Sequence, residues 1–380
     1  MRVAVHTDFE YHAVDGEFYG EHAFTLFIIA LAAHVDSLVL LGRVDPSAAR
    51  PRYPLGRGVK FVGLPYYPSL ARFRSSLRAM ATALRRFWRE VGSVDVVWLL
   101  GPHPVQLGFA LLAVVRRKRV TIGVRQEFAS YVASRHPRRP DLRLLALILE
   151  FAWRTLARFV GVVVVGPELA DQYRHSRHLL EITASLVGAE DVVAPDEALS
   201  SSYEGDLRVL SVGRLEAEKN PLLLAEVLAC LRESDDRWHL TVVGEGPLSG
   251  ALAQRLEELG VDPAAELKGY VPFGPELQSL YRGSHLLLHV SWTEGLPQVL
   301  VEAFAAGLPA VATDVGGIRR AVGDAAVLIP PSDPDAAARS LRAVAGSPQL
   351  RDRLVRAGHA YVRDRTIEVE SLRVAEFLAD

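Results

Sequence analysis

The chain has 380 residues, 49% hydrophobic and 23% charged, which excludes a disordered polypeptide and suits two globular domains better than one core. Its single cysteine, Cys230, excludes an intramolecular disulfide, and no apolar run approaches the roughly 20 residues that span a bilayer. A net charge of −2 hides an asymmetry: residues 1–180 carry 25 Lys/Arg against 14 Asp/Glu, and residues 181–380 carry 18 against 31. A basic half joined to an acidic half reads as separate domains with different partners. The opening MRVAVHTDFEYH lacks a signal-peptide plan, so a cytoplasmic protein is expected.

In chain order, Val3 to Val5 reads as a short strand, followed by the loop HTDFEYHAVDGEFYG. A helix over about Glu21 to Ala33 and a strand over Ser37 to Leu41 then open a parallel α/β sheet. Leu70 to Val91 reads as a long helix, with Leu70, Phe73, Leu77, Met80, Leu84, Phe87 and Val91 recurring in steps of three and four. Arg74, Arg78, Arg85 and Arg89 form a second stripe on it. The plain reading is a solvated basic face; the sharper one is a helix at an anionic membrane surface. Val94 to Leu100 is a buried-type strand that leads to His103, with a helix from about Val105. The strand Val120 to Val124 delivers Arg125. Ligands in open α/β sheets bind beyond strand carboxyl ends, so His103 and Arg125 stand at candidate site positions. Ser134 to Arg143 is basic and proline-bearing and reads as a flexible loop. A helix over Arg143 to Phe159 and a strand over Gly161 to Gly166 follow.

The acidic, Ser/Pro-bearing residues 191–206 read as a linker between domains 1–190 and 207–365, with an amphipathic helix at 366–380. The second domain restarts with the strand Leu207 to Val212, then Gly213, Arg214 and, five residues on, Lys219. Glycine permits close approach of backbone, Arg214 can grip a phosphate with its planar fork, and Lys219 adds a point charge. Another strand runs into Gly244-Glu245-Gly246-Pro247, and LKGYVP carries Tyr270. Residues 291–317, SWTEGLPQVLVEAFAAGLPAVATDVGG, hold Glu294 and Glu302 with seven residues between them. Pro297 suits a first helical position, and Gly307 with Pro309 ends that helix. The helix is apolar on nearly every side, so Glu302 is a carboxylate that needs a partner. Glu294 lies in the loop ahead of it, where the backbone of Gly295, Leu296 and the first helical residues suits an anion. A capping acid with a salt-bridged helix acid is the plain reading of the two glutamates alone.

The whole stretch resembles the donor-site signature of family 4 retaining glycosyltransferases, which have the GT-B fold of two Rossmann-like domains facing across a cleft. The resemblance implies that Glu294 contacts the transferred sugar and Glu302 the nucleotide ribose. It implies that Arg214 and Lys219 bind the donor diphosphate, that the segment of Tyr270 lines the base, and that Gly244 stands in the expected glycine loop. Where the family often carries a glycine pair in its first loop, this chain has Gly20-Glu21, and only Gly20 is left to approach donor phosphates. Where many members place a histidine, it has Arg125, Gln126 and Glu127, while His103 matches a histidine common after the preceding strand. The resemblance also implies that residues 366–380 cross back to the first domain.

The expected activity is transfer of sugar from a nucleoside diphosphate sugar, a UDP- or GDP-sugar foremost, to a glycan, glycolipid or small-molecule hydroxyl. No cofactor, metal or nucleic acid is expected, since Arg214, Lys219 and the helix start near Leu296 can stabilise the leaving diphosphate. Asp235-Asp236 reads as a solvated turn rather than a metal-diphosphate anchor. An acceptor on a lipid precursor of the cell envelope would bring the basic half to the inner membrane face. A non-catalytic nucleotide-sugar-binding subunit and another GT-B enzyme, such as a sugar-nucleotide epimerase or a glycogen-type phosphorylase, are the alternatives.

Overall fold

The structure, a computed structural model, describes residues 1–47, 52–67, 73–135 and 139–380. The chain divides into two compact units, Met1–Leu186 with Ile367–Asp380, and Val187–Thr366. The first unit contains strands β1 (Arg2–Val14), β2 (Glu17–Gly20), β3 (Ser37–Val44), β4 (Tyr53–Pro54), β5 (Val59–Leu64), β6 (Val96–Gly101), β7 (Arg119–Val124), β8 (Gly161–Val165) and β9 (His178–Ile182). Its helices are α1 (Phe24–Ala32), α2 (Phe73–Glu90), α3 (Pro104–Val115), α4 (Phe128–Arg135), α5 (Pro140–Ala157) and α6 (Pro167–Gln172), with the chain's last helix Ile367–Ala379 packed on α1.

Strands β5, β3, β1, β6, β7, β8 and β9 lie side by side in parallel; β2 pairs antiparallel with the end of β1, and β4 pairs antiparallel with β2. The crossovers through α2, α3 and α5 all step the same way, so right-handed connection puts the three helices on one face. There they share a core that includes Ala83, Phe87, Phe109, Ala113, Trp153 and Ala157. α1 steps the other way, to the opposite face.

Three sequence expectations change here. The stretch after Val5 is not a loop: β1 runs on to Val14 and turns through Asp15-Gly16 into β2. Both turn residues have positive φ, which is the hairpin geometry an Asp-Gly pair favours. Ser134 to Arg143 is not a flexible loop over its described part. α4 reaches Arg135 and α5 begins at Pro140, where a proline costs no hydrogen bond; residues 136–138 lie outside the described residues. On α2, Ala79, Ala83 and Phe87 face the core, while Leu77 is exposed beside Arg78. Arg78, Arg85 and Arg89 are exposed; Leu70 and the side chain of Arg74 lie outside the described residues.

The second unit contains strands β10 (Leu207–Val212), β11 (Trp238–Val243), β12 (Ala265–Gly269), β13 (Leu286–His289), β14 (Ala310–Thr313) and β15 (Ala326–Ile329). Its helices are α7 (Pro195–Ala198), α8 (Leu222–Arg232), α9 (Ser249–Glu258), α10 (Pro275–Arg282), α11 (Gln298–Ala305), α12 (Ile318–Val322), α13 (Pro334–Gly346) and α14 (Pro348–Arg363). All six strands are parallel, in the order β12-β11-β10-β13-β14-β15. Such strands bury both faces, which is why Leu286 to His289 is buried throughout. α8, α9 and α13 cover one face, and α10 and α11 the other. Residues 191–206 pack within this unit, with Asp196 of α7 paired to Arg356 of α14. Asp235 and Asp236 form a turn before β11, paired with Arg237 and Arg232.

Candidate functional site

The chain enters the second sheet at β10, steps outward to β11 and β12, and returns on the other side of β10 with β13. The carboxyl ends of β10 and β13 therefore flank the point where strand order reverses, the place where open α/β sheets bind ligands. Gly213 follows β10, and a Cβ there would meet nothing within 4 Å. Gly244 is different. Its φ is +142°, and a Cβ would fall 1.8 Å from the carbonyl oxygen of Gly213. A Cβ on Gly246 would fall 2.4 Å from that of Leu215. These two glycines let one loop pack against another, and Gly213 is the one that faces open space.

Lys219, at the end of a short 3-10 turn after β10, meets Glu294 from the loop after β13. Its ammonium contacts Glu294 Oε1. Ser291 Oγ donates to the same oxygen at 2.7 Å and His289 Nε2 lies 3.0 Å from it. All three contacts gather on Oε1, so Oε2 carries no partner among the described residues. Burial pushes the Glu294 carboxyl up, but the hydrogen bond from His289 and the charge of Lys219 outweigh it and hold it at about 2. A carboxylate this firmly ionised accepts hydrogen bonds from a neutral hydroxyl and does not act as an acid. Gly213, Arg214, Lys219, His289 and Ser291 line one small niche. Arg214 stands at its rim, half exposed, with its guanidinium on Glu216 at 2.6 Å and Glu218 at 3.1 Å.

α11 begins at Gln298, one residue later than the sequence suggests, with Pro297 as an extended cap. It ends at Ala305 with Ala306 as its cap, and Gly307, with a φ of +66°, and Pro309 keep it from continuing. Gly295 and Leu296 connect Glu294 to it. Glu302 lies on α11 and accepts a hydrogen bond from Tyr281 of α10 at 2.7 Å. Its partner is thus a phenol and not a cation. Burial raises its carboxyl to about 7, only partly offset by that bond. Phe273, Gln278, Tyr281 and Glu302 line a narrow pocket. Tyr270 is partly exposed, and its backbone N–H donates to Glu245 at 3.2 Å.

Gly20, His103 and Arg125 belong to the first unit. Gly20 ends β2, where a Cβ would collide with Thr25 Oγ1 at 2.2 Å. His103 caps α3, with Nδ1 accepting from the N–H of Val105 at 3.3 Å. That leaves Nε2–H to face the Tyr67 hydroxyl at 2.8 Å. Tyr67 and Arg43 also reach Asp8 Oδ1, at 3.2 and 3.1 Å. Asp8, Arg43, Tyr67 and His103 form a polar cluster at the carboxyl end of the first sheet. Arg125 lies over the rings of Phe9 and Phe24 at 4.5 and 5.1 Å. Burial lowers its guanidinium to about 10, still charged at neutral pH.

The sequence reading missed His289, Ser291 and Tyr281 in the second unit and Asp8, Arg43 and Tyr67 in the first. His289 ends a buried parallel strand and Ser291 follows it, which is a signal in itself. Tyr281 sits in an amphipathic helix and carries no such mark.

Two parallel α/β units, with a cationic glycine loop and a buried carboxylate at the switch point of the second, are the GT-B fold of glycosyltransferases. By sequence, residues 196–361 match the family model "Glycosyl transferases group 1". Over 175 residues the chain is 33% identical to D-inositol 3-phosphate glycosyltransferase of Salinispora tropica, a match that takes in 42% of this chain and 36% of that relative's length. Sucrose-phosphate synthase from Thermosynechococcus elongatus superposes with a TM-score of 0.73 at 18% identity, covering 100% of this chain and 98% of that one. HepE of Anabaena in complex with UDP superposes with a TM-score of 0.71 at 16% identity, covering 100% of both chains. At these identities the two structures establish the fold alone.

Proposed function

We propose that the protein is a retaining glycosyltransferase that moves a sugar from a UDP- or GDP-sugar to a hydroxyl acceptor without a metal ion. The observation that carries this reading is the meeting of Lys219 and Glu294 at the switch point. Lys219 and the forked guanidinium of Arg214 flank Gly213, whose open side admits a diphosphate. Oε2 of Glu294 remains to accept a sugar hydroxyl. Glu302, on the same helix and buried against Tyr281, is read as the acceptor of the ribose hydroxyls. As the glycosidic bond breaks, negative charge grows on the leaving diphosphate, and Arg214 and Lys219 stabilise it where it develops. Lys219 then exchanges part of its contact with Glu294 for phosphate oxygen. Arg214 does the same with Glu216 and Glu218.

The polar cluster of Asp8, Tyr67 and His103 is read as the acceptor side, with Asp8 to orient the attacking hydroxyl and His103 to hold Tyr67. Arg125, charged and held by two aromatic rings, supplies a fixed positive potential to that side. We read the acceptor as a lipid-linked or envelope glycan precursor at the cytoplasmic membrane face, because the basic excess lies in residues 1–180. A thermal-shift series with UDP, GDP and ADP tests the donor reading. One nucleotide should raise the melting temperature selectively, since a ligand stabilises by mass action. The matching nucleotide sugar should then be turned over with its anomeric configuration kept. Unchanged turnover in an Arg214→Ala/Lys219→Ala protein would remove the diphosphate assignment.

A further inference from the structure

α5 is apolar on both sides. Ala146, Glu150, Trp153 and Ala157 face the core, and Glu150 is satisfied there by the N–H of Ala129 and by Arg154. On the opposite side Leu144, Ile148 and Phe151 recur at i, i+4 and i+7, flanked by Leu145 and Leu147. All five are exposed; Ile148 is 56% and Phe151 74% accessible. A helix apolar all round is ordinarily buried all round. The neighbouring α3, on the same face of the sheet, repeats the feature with Leu111, Val114 and Val115 exposed. Phe159, just past α5, is 69% accessible. Two helices on one face of the sheet thus both present exposed apolar side chains, and Val114 and Phe159 meet at one pocket, a feature of a kind that marks an interaction site.

The charges around this surface identify what covers it. Arg117 follows α3, Arg143 and Arg158 lie in and after α5, and Arg78, Arg85 and Arg89 line α2 beyond α3. None of these six guanidiniums has a partner among the described residues. Two of the nearby acids are already used: Glu90 pairs with Lys60, and Asp141 with Arg139. Val114 and Phe159 also border an open pocket of about 450 Å³ lined by three cations, Lys118, Arg119 and Arg177, and by the acidic Asp380. Face-to-face pairing of two copies would set arginines against arginines, so a second copy of this chain is disfavoured. Exposed apolar side chains on helices that also carry uncompensated arginines match an acyl layer under anionic headgroups.

We infer that the outer face of α3 and α5 is the surface by which the protein seats on an anionic lipid bilayer, with Leu144, Ile148 and Phe151 entering the acyl boundary. This deepens the lipid-linked acceptor reading and rests on it only for its purpose, since seating is measured without an acceptor. The test is sedimentation of the full chain with vesicles of phosphatidylcholine, alone and mixed with phosphatidylglycerol, at low and high salt. The mixed vesicles should bind it and the neutral ones should bind it poorly. Ile148→Glu/Phe151→Glu should weaken partitioning roughly tenfold or more at both salts, because the apolar contribution is not screened. Arg78→Glu/Arg85→Glu/Arg89→Glu should weaken it mainly at low salt. In a Phe151→Trp protein, emission should shift to the blue on adding mixed vesicles. These positions are exposed, so folding should survive, and nucleotide binding by the second unit serves as the control. Three results would overturn the inference: no sedimentation with mixed vesicles at low salt, sedimentation of the Ile148→Glu/Phe151→Glu protein equal to the unaltered one, or a stable dimer in light scattering that this substitution dissolves. Seating without transfer to any lipid-linked glycan would instead sink the acceptor reading and leave the surface in place.

Discussion

Glu302→Gln separates two effects of one carboxyl that have opposite signs. The folded carboxyl is pushed to about 7 from its usual 4.5. Between those values the folded state holds a proton that the unfolded state has released, so stability falls as pH rises through this window and levels off above it. A shift of that size corresponds to about 3 kcal/mol of stability lost near pH 8 relative to pH 4.5. Glutamine keeps the shape and an acceptor for Tyr281 but cannot ionise. The variant should therefore match the parent near pH 5 and exceed it by up to about 3 kcal/mol near pH 8. Nucleotide affinity should move the other way. A ribose hydroxyl donating to a carboxylate is a charge-assisted bond worth about 1.5–3 kcal/mol, so Glu302→Gln should bind free nucleoside diphosphate roughly ten- to a hundredfold more weakly near pH 8. That gap should close as the parent's carboxyl protonates below about pH 6. Denaturant unfolding and titration calorimetry at the two pH values measure both halves. A stability difference that does not vary with pH would refute the buried, late-titrating carboxyl. Equal nucleotide affinity near pH 8 would refute the ribose contact.

Replacing Arg214 or Lys219 by Ala should cost roughly 2–4 kcal/mol of transition-state stabilisation each, read as kcat/KM, while the melting temperature of the unliganded protein changes little for Arg214. Glu294→Gln should lower kcat more than it raises KM for the donor, and a pure KM effect would argue against contact with the reacting sugar. His289→Leu removes one of three donors to Glu294 Oε1. Because that carboxyl is held at about 2, its stabilisation is present above the unfolded value and disappears as pH falls through about 2; the variant should move this acid limb to higher pH. An acid unfolding profile identical to the parent's would show that His289 does not hold Glu294. Asp8→Asn should raise KM for the acceptor and leave the rate of donor hydrolysis in water unchanged, and a lowered hydrolysis rate would place Asp8 elsewhere in the reaction.

Local chemistry alone determined much of the second unit. Leu207 to Val212 and Trp238 to Val243 are strands from end to end as their apolar runs suggest, because polar turns bound them on both sides. Pro297, Gly307 and Pro309 mark the ends of α11 to within a residue, since proline and glycine constrain the backbone whatever surrounds them. Glu294, Glu302, Arg214 and Lys219 were legible as charged residues at strand ends and on an apolar helix. What tertiary structure decided is who meets whom. Lys219 and Glu294 are 75 residues apart, and only the reversal of strand order between β10 and β13 brings them together. The sequence says only that Glu302 needs a partner; the fold supplies a phenol 21 residues away rather than a cation, which is why its carboxyl sits near 7. Sequence period marks α5 as a helix, but a side chain's period does not say which of two apolar sides a sheet will cover. The sheet covers Trp153 and Ala157 and leaves Ile148 and Phe151 outside, because its one face can bury only one side of a helix.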